Sequence, residues 1–283
     1  MSNENQTPES CTHNCDTCGA SCPSKTMTKA DFLAPPNKNS KIKKIIGVVS
    51  GKGGVGKSWV TSLLAATSVR NSLATGILDA DITGPSIPKM FGVHTKAGSD
   101  GESFIPVTSD SGVSMMSVNL VLDDESDPVI WRGPIIAGVV KQFYSDVAWS
   151  DIDVLFVDMP PGTGDVPLTV FQSLPLDGIV VVTSPQDLVS MIVTKAIRMA
   201  EKMDIPVLGI VENMSYVTCP DCGKKIYMFG EGKTAELAKE FDIENILTLP
   251  ADPDVAKLCD EGKADVAAEK YFEEVSEFIG KLT

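Results

Sequence analysis

The sequence is short of positive charge. It has 24 lysines and arginines against 38 aspartates and glutamates, which gives a formal net charge of −14 and a pI of about 4.6. A broad phosphate-binding face needs clustered Lys and Arg, and docking to an anionic membrane surface needs the same. We therefore expect neither nucleic acid nor a membrane as a partner of this protein.

Long hydrophobic runs are also missing. No segment reaches the roughly 18 consecutive apolar residues that a membrane-spanning helix needs, and the longest runs, such as Ile179–Val182, have the length of a strand. The N-terminal sequence MSNENQTPES is polar and lacks the apolar segment of a secretory signal. We therefore expect a cytoplasmic protein whose thiols are kept reduced. In that compartment the seven cysteines, six of them in two clusters, indicate metal sites rather than disulfides.

The remaining composition, 43% hydrophobic and 22% charged, is that of an ordinary globular protein. Residues 1–42 stand apart, because they contain four cysteines and many Ser, Thr, Asn and Pro but almost no apolar periodicity. This composition predicts a flexible cysteine-bearing arm and linker. The globular domain is predicted to span residues 43–283.

Within that domain, short β-branched apolar runs alternate with helix-like segments. The predicted strands are Lys44–Ser50, Thr75–Asp79, Val113–Val118, Val154–Asp158, Gly178–Thr183, Val207–Val211 and Asn245–Leu249. The predicted helices are Lys57–Asn71, Gly133–Tyr144, Leu188–Met203, Lys233–Phe241 and Glu269–Leu282. Such alternation predicts an α/β fold with a doubly wound, mainly parallel sheet. Ligands on such sheets bind beyond the carboxyl ends of the strands.

The segment GKGGVGKS between the first predicted strand and helix matches the phosphate-binding motif G-x-x-x-x-G-K-[ST]. Its glycines allow the backbone to turn N–H groups toward phosphate oxygens, and the following helix adds its positive N-terminal end. Lys57 is expected to reach the β- and γ-phosphates, and the Ser58 hydroxyl to coordinate Mg²⁺. The residues expected around the nucleotide phosphates are Gly51, Lys52, Gly53, Gly54, Val55, Gly56, Lys57, Ser58 and Trp59.

Acidic residues end two of the predicted strands. Asp158 closes an apolar strand in the manner of an aspartate that holds Mg²⁺. Asp79 and Asp81 follow another strand, where one of them is placed to orient an attacking water. The Mg²⁺ ligands are thus predicted to be Ser58, Asp79 and Asp158. The alternative for each aspartate is a helix cap or a turn residue. In the loop after Asp158, the Gly162 N–H is a candidate contact for a γ-phosphate.

Several segments together resemble a known family. They are GVVSGKGGVGKS, LDADITGPSIPKMFG, WRGP, DMPPGTGD, TSPQD, VENMSY and CPDCG, spread over roughly Lys43–Thr283. The extra lysine, Lys52, resembles the deviant Walker A signature of the MinD/ParA/nitrogenase-iron-protein group. Within that group the sequence is most similar to the Mrp/ApbC/Nbp-type iron–sulfur cluster carrier ATPases.

The resemblance implies a P-loop NTPase of the SIMIBI type that forms homodimers with ATP near the subunit interface. It implies that Lys52 contacts the phosphates bound by the partner subunit, so that Lys52, Lys57, Asp81 and Asp158 form the catalytic set. Asp81 corresponds to the acid that positions water. Asn213 corresponds to the residue that binds the adenine amino group; otherwise it is a turn residue at a strand end. Pro250 and Asp252 fall in the second adenine-side loop. No N-K-x-D guanine signature is visible, so ATP is expected over GTP.

The pair Cys219 and Cys222 lies in a C-x₂-C motif, which supplies only half of a four-ligand metal site. A twofold dimer supplies the other half by symmetry, and four thiolates satisfy a [4Fe–4S] cluster. The family resemblance implies the same labile, bridging cluster. Zinc and free thiols are the alternatives, because C-P-x-C-G is also typical of a zinc knuckle.

The arm contains four further cysteines, Cys11, Cys15, Cys18 and Cys22. Their spacing is close to the ferredoxin pattern C-x₂-C-x₂-C-x₃-C-P, except that the first gap is three residues. A second [4Fe–4S] cluster is one interpretation; zinc, with His13 as a possible fourth ligand, and idle thiols are others. Cys259, near Asp260 and Glu261, is predicted to be buried or incidental, with a raised pKa.

The sequence therefore favours an ATP-hydrolysing carrier that assembles a [4Fe–4S] cluster and passes it to apo-proteins, with slow, switch-like hydrolysis. A MinD- or ParA-like positioning ATPase is the first alternative, but the C-terminal segment 269–283 is acidic on its polar face. A reductase like nitrogenase iron protein is a second, and the C-x₂-C spacing argues against it. A zinc-binding nucleotide switch is a third.

Overall fold

The computed structural model describes residues 32–124, 133–230 and 232–283, apart from the side chains of residues 133, 134, 165 and 187–190. Its globular unit spans Ala34–Thr283. In the described part of the chain, no helix is both long and apolar enough to cross a lipid bilayer.

Among the described residues, eight strands form the central sheet in the order β12-β9-β8-β1-β7-β2-β6-β5. They are β1 (Ser40–Ser50), β2 (Thr75–Asp79), β5 (Val107–Thr108), β6 (Ser114–Met116), β7 (Ser150–Asp158), β8 (Gly178–Thr183), β9 (Val207–Glu212) and β12 (Ile246–Thr248). Neighbouring strands are parallel except β5 and β6, which are antiparallel. β1 lies between β7 and β8, so the loops that leave the carboxyl ends of these three strands come together at one edge.

The part of the chain that the structure describes also has two small hairpins outside the sheet. One pairs β3 (Gly98–Ser99) with β4 (Phe104–Ile105). The other pairs β10 (Val217–Thr218) with β11 (Lys225–Ile226) and has the C-x₂-C motif in its turn. We call residues 217–226 the cysteine hairpin.

Helices cover both faces of the sheet. They are α1 (Lys57–Arg70), α2 (Ile87–Met90), α3 (Gly133–Ser145), α4 (Asp165–Ser173), α5 (Asp187–Lys202), α6 (Thr234–Glu240), α7 (Pro253–Asp260), α8 (Ala264–Ala268) and α9 (Phe272–Gly280). One core cluster joins side chains of α1 and α7–α9 to one face of the sheet, and a second joins α3–α6 to the other. Alternate residues of β1 serve the two cores: Ile46 and Val48 face the first, Ile45 and Val49 the second.

The doubly wound, mainly parallel sheet that the sequence predicted is confirmed. The differences lie at the ends of the elements. β1 begins at Ser40 rather than residue 44, and the Ala34 N–H donates to the Ser173 carbonyl, so the globular unit begins within the segment that we assigned to the linker. The predicted helix 269–282 is instead a 3₁₀ turn (Glu269–Tyr271) followed by α9. The predicted strand 113–118 shortens to β6, because a 3₁₀ turn begins at Val118.

Candidate functional site

The phosphate-binding loop connects β1 to α1 at the centre of the sheet. Gly54 and Gly56 have φ angles of 81° and 80°, a region that residues with a Cβ rarely adopt. Gly56 also lies so close to the Asn213 side chain that a Cβ there would clash with the amide nitrogen. The loop glycines are therefore required by conformation at residues 54 and 56 and by close packing at residue 56.

Asp158, at the end of β7, is contacted by three residues of α1, one through an ion pair and two through hydrogen bonds. The Lys57 Nζ lies 2.8 Å from its Oδ1, the Ser58 Oγ donates to its Oδ2 at 2.7 Å, and the Thr61 Oγ1 donates to its Oδ1 at 2.8 Å. Asp158 is fully buried and Lys57 is 6% exposed. A buried carboxylate with this many charge-assisted contacts is held in one position. Sequence reasoning missed Thr61, although it lies one helical turn after Ser58, on the same face of α1.

Asp81 and Asp79 lie beside this group. The Lys57 Nζ is 3.6 Å from Asp81 Oδ2, while Asp79 accepts hydrogen bonds from the Ser117 hydroxyl at 3.0 Å and the Asp81 N–H at 3.2 Å. Burial, reinforced by the nearby Asp158 charge, raises the pKa of Asp79 to about 8. Burial likewise raises the pKa of Asp81, against the opposing effect of Lys57.

The charge of Lys57 is set by these carboxylates. Burial alone would lower the pKa of its ammonium group, but the attraction of Asp158, Asp81 and Asp79 outweighs burial and raises that pKa. These carboxylates therefore favour the charged form of Lys57.

Two loop contacts involve residues from neighbouring strands. The Lys52 Nζ donates to Oε1 of Gln186 at 2.6 Å, beyond the end of β8. The Gly162 N–H donates to the Ser50 carbonyl at 2.9 Å, so the group that we considered for γ-phosphate contact is hydrogen-bonded within the protein. Sequence analysis named the TSPQD segment but did not identify Gln186 as the partner of Lys52.

A largely apolar cavity of about 480 Å³ opens beside the loop. It shares Gly56, Trp59 and Met90 with a smaller cavity of about 200 Å³ that reaches Lys57, Ser58 and Asp81. The large cavity is also lined by Asn213, Met214, Pro250, Asp252 and Cys259. An apolar compartment that continues into a polar, Gly-rich one matches the two ends of a nucleotide.

The residues predicted to recognise the base line this apolar cavity. The buried Asn213 donates through Nδ2 to the Val55 carbonyl at 2.9 Å, which ties β9 to the phosphate-binding loop. Asp252 accepts from the Asp254 N–H at 2.9 Å and so caps α7. Burial acts to raise the pKa of Asp252, but hydrogen bonds from Lys270 and Tyr271 dominate and lower it. Cys259 is buried, and burial with the nearby Asp260 raises its pKa to about 11, as predicted.

Cys219 and Cys222 lie in the turn of the cysteine hairpin. The Cys219 N–H donates to the Lys224 carbonyl and the Gly223 N–H to the Cys219 carbonyl, both at 2.9 Å. Both cysteines are free; Cys222 is exposed and Cys219 partly so. Backbone N–H groups of Cys222 and Asp221, together with the Cys222 thiol, lower the pKa of Cys219. Within the described residues, no group of three or more His, Cys, Asp or Glu side chains is arranged to hold a metal ion.

The comparison with protein-family models gives one match that covers most of the chain. The ParA model, described as NUBPL iron-transfer P-loop NTPase, matches residues 41–282. The chain belongs to this family. The geometry of the loop between β1 and α1 is therefore that of an iron-transfer P-loop NTPase.

Relatives of this NTPase have consistent names. An iron–sulfur cluster carrier protein of Clostridium perfringens is 43% identical over 256 residues, which cover 88% of this chain and 87% of that protein. One from Methanocaldococcus jannaschii is 44% identical over 257 residues, with 89% of both chains covered.

Solved structures extend the comparison. A nucleotide-binding protein of Archaeoglobus fulgidus in complex with ADP, with cobalt found by PIXE, has a TM-score of 0.73 and 44% identity, and covers 82% of this NTPase and 92% of that chain. The MinC:MinD complex of Aquifex aeolicus has a TM-score of 0.59 at 16% identity, with 84% and 96% covered, which shows a common fold.

Some predicted residues of this NTPase lie outside the described part of the chain. They are Cys11, Cys15, Cys18 and Cys22 of the arm, and Trp131 and Arg132 of the WRGP segment. The phosphate-binding, acidic and base-side residues come together at the carboxyl edge of the sheet. Cys219 and Cys222 lie in a hairpin that begins five residues after the end of β9.

Proposed function

We propose that this NTPase is an ATP-dependent carrier that assembles a [4Fe–4S] cluster on Cys219 and Cys222 of two subunits and passes it to apo-proteins. The observation that carries the proposal is the pair of free thiols in the cysteine hairpin, one exposed and one partly exposed, on a chain with a complete phosphate-binding loop. A pair of thiolates is half of a cluster's ligand set. The carrier names of relatives above 40% identity support the same function.

The nucleotide is proposed to lie along the two connected cavities, with the base in the apolar cavity and the phosphates over residues 51–58. Asn213 and the loop of Pro250 and Asp252 would contact the adenine. When phosphate oxygens arrive, Lys57 exchanges part of its contact with Asp158 and Asp81 for them. Asp81 is then free to orient water for slow hydrolysis, which acts as a switch.

Magnesium fits the oxygen ligands at this site. The Ser58 hydroxyl and the Asp158 carboxylate lie within 2.7 Å of each other, and both are ligand types that Mg²⁺ prefers. Asp158 holds the Ser58 side chain in place, and Asp79 supplies a second buried carboxylate. A bound Mg²⁺ ion would neutralise the charge of the β- and γ-phosphates.

A homodimer is proposed to complete both functional sites. Lys52, which lies at the surface on the phosphate-binding loop, would leave Gln186 and contact the nucleotide of the partner subunit. The cysteine hairpins of the two subunits would meet on the twofold axis and share one cluster. An exposed, shared cluster is suited to release, because neither subunit owns all four ligands.

The arm is proposed to hold a second metal centre. Its four closely spaced cysteines supply a complete ligand set within one chain, for a [4Fe–4S] cluster or for zinc. It would therefore bind metal without a partner subunit, unlike the cysteine hairpin.

Anaerobic reconstitution tests this function. The full-length protein, with ferrous iron, sulfide and Mg·ATP, is expected to gain a [4Fe–4S] spectrum and to restore the activity of an apo form of a [4Fe–4S] enzyme. The double variant Cys219→Ser/Cys222→Ser is expected to lose transfer and to retain only the iron bound by the arm. A variant with Cys11, Cys15, Cys18 and Cys22 all changed to serine isolates the iron bound by the hairpin.

Cys259→Ser is the matched control, because it removes a buried thiol outside both clusters. Because Cys259 also lines the apolar cavity, nucleotide is supplied at saturation, and under that condition the variant is expected to reconstitute and transfer like the wild type. Zinc retained at Cys219 and Cys222 to the exclusion of iron, or equal transfer by the double variant, would contradict the carrier function.

A further inference from the structure

The buried carboxylate of Glu212 connects the nucleotide site to the cysteine hairpin. Glu212 is the last residue of β9 and is 4% exposed. It accepts hydrogen bonds from two hydroxyls, that of Ser215 on one carboxylate oxygen and that of Thr234 on the other. Gly232 packs so closely on the same carboxylate that a Cβ at this position would clash with it.

The two hydroxyls lie at opposite ends of the segment 215–234, which contains the cysteine hairpin. Ser215 lies just before the cysteine hairpin, and Thr234 begins α6 just after the chain returns to the domain. One buried carboxylate therefore fixes both ends of the segment that presents Cys219 and Cys222. An unpaired carboxylate at this depth would be costly, so the two hydroxyls and Glu212 hold one another in place.

Asn213, the residue after Glu212, is held by hydrogen bonds to the phosphate-binding loop and to the end of β8. Asn213 donates through its side chain to the Val55 carbonyl and packs on Gly56, while its N–H donates to the Thr183 carbonyl at 2.9 Å. The Leu249 N–H donates to the Glu212 carbonyl, and the Ser215 N–H to the Leu249 carbonyl, both at 2.9 Å. The turn 212–215 thus contacts the phosphate-binding loop, the last residue of β8 and the loop after β12.

We propose that Glu212 is a positioning residue that transmits nucleotide binding to the cysteine pair. A shift of the phosphate-binding loop reaches Asn213 through Val55 and Gly56, and Glu212 passes the shift to both ends of the hairpin segment. Buried hydrogen bonds of Asn213 and Glu212, joined by the covalent chain that continues into the cysteine hairpin, thus connect the two sites physically, as coupling requires. This inference rests on the proposed carrier function, in which nucleotide governs how the cysteines hold the cluster.

Thiol reactivity measures this coupling without any cluster. In the reduced, iron-free, full-length protein, the alkylation rates of Cys219 and Cys222 are followed by peptide mass spectrometry, with and without Mg²⁺ and a non-hydrolysable ATP analogue. In the wild type we expect the nucleotide to change these rates by about fivefold or more, the scale of a typical coupling free energy. Thr234→Val, which removes one hydroxyl from Glu212, is expected to reduce the effect to about twofold or less.

The variants separate coupling from folding. Thr234→Ser keeps the hydroxyl and is expected to restore the nucleotide effect. Thr67→Val is the matched control: Thr67 is buried in α1 and its hydroxyl has no hydrogen-bond partner in the described part of the chain. It is expected to keep the full effect. Ser215→Ala tests the other end of the segment and is expected to weaken the effect as Thr234→Val does.

Three results would overturn the proposal. They are a wild type whose thiols do not respond to nucleotide, a Thr234→Val variant that keeps the full response, and a Thr234→Val variant whose nucleotide affinity falls in parallel. A parallel fall in nucleotide affinity would show that the hydrogen bond between Thr234 and Glu212 stabilises the fold in general and does not transmit nucleotide binding. Cluster reconstitution of the wild type is scored separately. A thiol response without any cluster contradicts the carrier function alone, and a cluster without a thiol response contradicts the coupling alone.

Discussion

At the scale of single residues, Asp158 organises the nucleotide site. It receives Lys57, Ser58 and Thr61 from one helix; each contact is short, and Asp158 itself is fully buried. The sequence predicted Asp158, Lys57 and Ser58, because each occupies a fixed place in a motif. It did not predict the roles of Thr61 and Gln186, because these depend on which side chains the fold brings together. Gln186 lies in the TSPQD segment, but that segment alone does not indicate its contact with Lys52.

The Thr61→Val substitution tests whether the exact position of Asp158 matters, because it keeps Asp158 but removes one of its hydrogen bonds. The substitution removes one donor from a buried carboxylate, and we expect it to lower the free energy of unfolding by about 1–2 kcal/mol. A less firmly held Asp158 should also reduce ATP hydrolysis by about tenfold or more. Urea denaturation and a phosphate-release assay measure the two effects.

Thr67→Val serves as the control for this substitution as well, because it deletes a buried hydroxyl of the same helix that makes no hydrogen bond to the described residues. It is expected to leave hydrolysis unchanged. If the two variants hydrolyse ATP equally well, Thr61 has no part in holding Asp158 for catalysis.

At the scale of elements, the sequence predicted best where apolar runs are long. β1, β7 and β8 have six or more residues, and their buried runs are visible without a structure. The two-residue strands of the cysteine hairpin were not predicted, because two residues are too few to show a period. The 3₁₀ turn before α9 was also missed, because its residues differ little from those of an α-helix.

The Gly56→Ala substitution tests the junction between the phosphate-binding loop and α1. Gly56→Ala places a Cβ at a φ of 80° and against Asn213. Strain of this kind costs about 1–3 kcal/mol, so we expect the free energy of unfolding to fall by about 2 kcal/mol or more. Nucleotide affinity should fall as well, since Asn213 must move. Chemical denaturation and nucleotide titration measure these effects.

Gly53→Ala is the matched comparison, since a Cβ there meets no described atom within 4 Å and Gly53 is exposed. Its effect on the free energy of unfolding should be below about 1 kcal/mol. Equal destabilisation by the two substitutions would show that the contact with Asn213 does not matter to the fold.

At the scale of the whole molecule, the sequence predicted the layered α/β fold but not the order of its strands. Alternating periodicities specify parallel strands and flanking helices, whereas strand order depends on long-range packing. The half-filled ligand set of the cysteine hairpin is likewise a property of the assembly. Because one hairpin supplies only two of the four thiolates of a cluster, a single subunit does not account for the proposed function.

Lys52→Ala tests the assembly. The wild type, a chain of 30.1 kDa, is expected to double its mass by light scattering when Mg²⁺ and a non-hydrolysable ATP analogue are added. The variant should bind nucleotide within about threefold of the wild type but stay monomeric, because the charge that contacts the partner's phosphates is gone. Cluster transfer should fall with the loss of the dimer.

Lys239→Ala, which removes an exposed lysine from α6, is the control for the change in charge and should dimerise normally. A Lys52→Ala variant that still dimerises with nucleotide would remove the basis for this role of Lys52.

The position of β1 between β7 and β8 has a mechanical consequence. The backbone amides of these inner strands should be among the last to exchange hydrogen for deuterium, whereas those of the short cysteine hairpin should exchange early. We therefore expect the nucleotide loops to be anchored in a rigid part of the described structure and the two thiols to lie on a more deformable part. A carrier of the proposed kind must hold its nucleotide firmly and release its cluster, and this difference in rigidity suits both tasks.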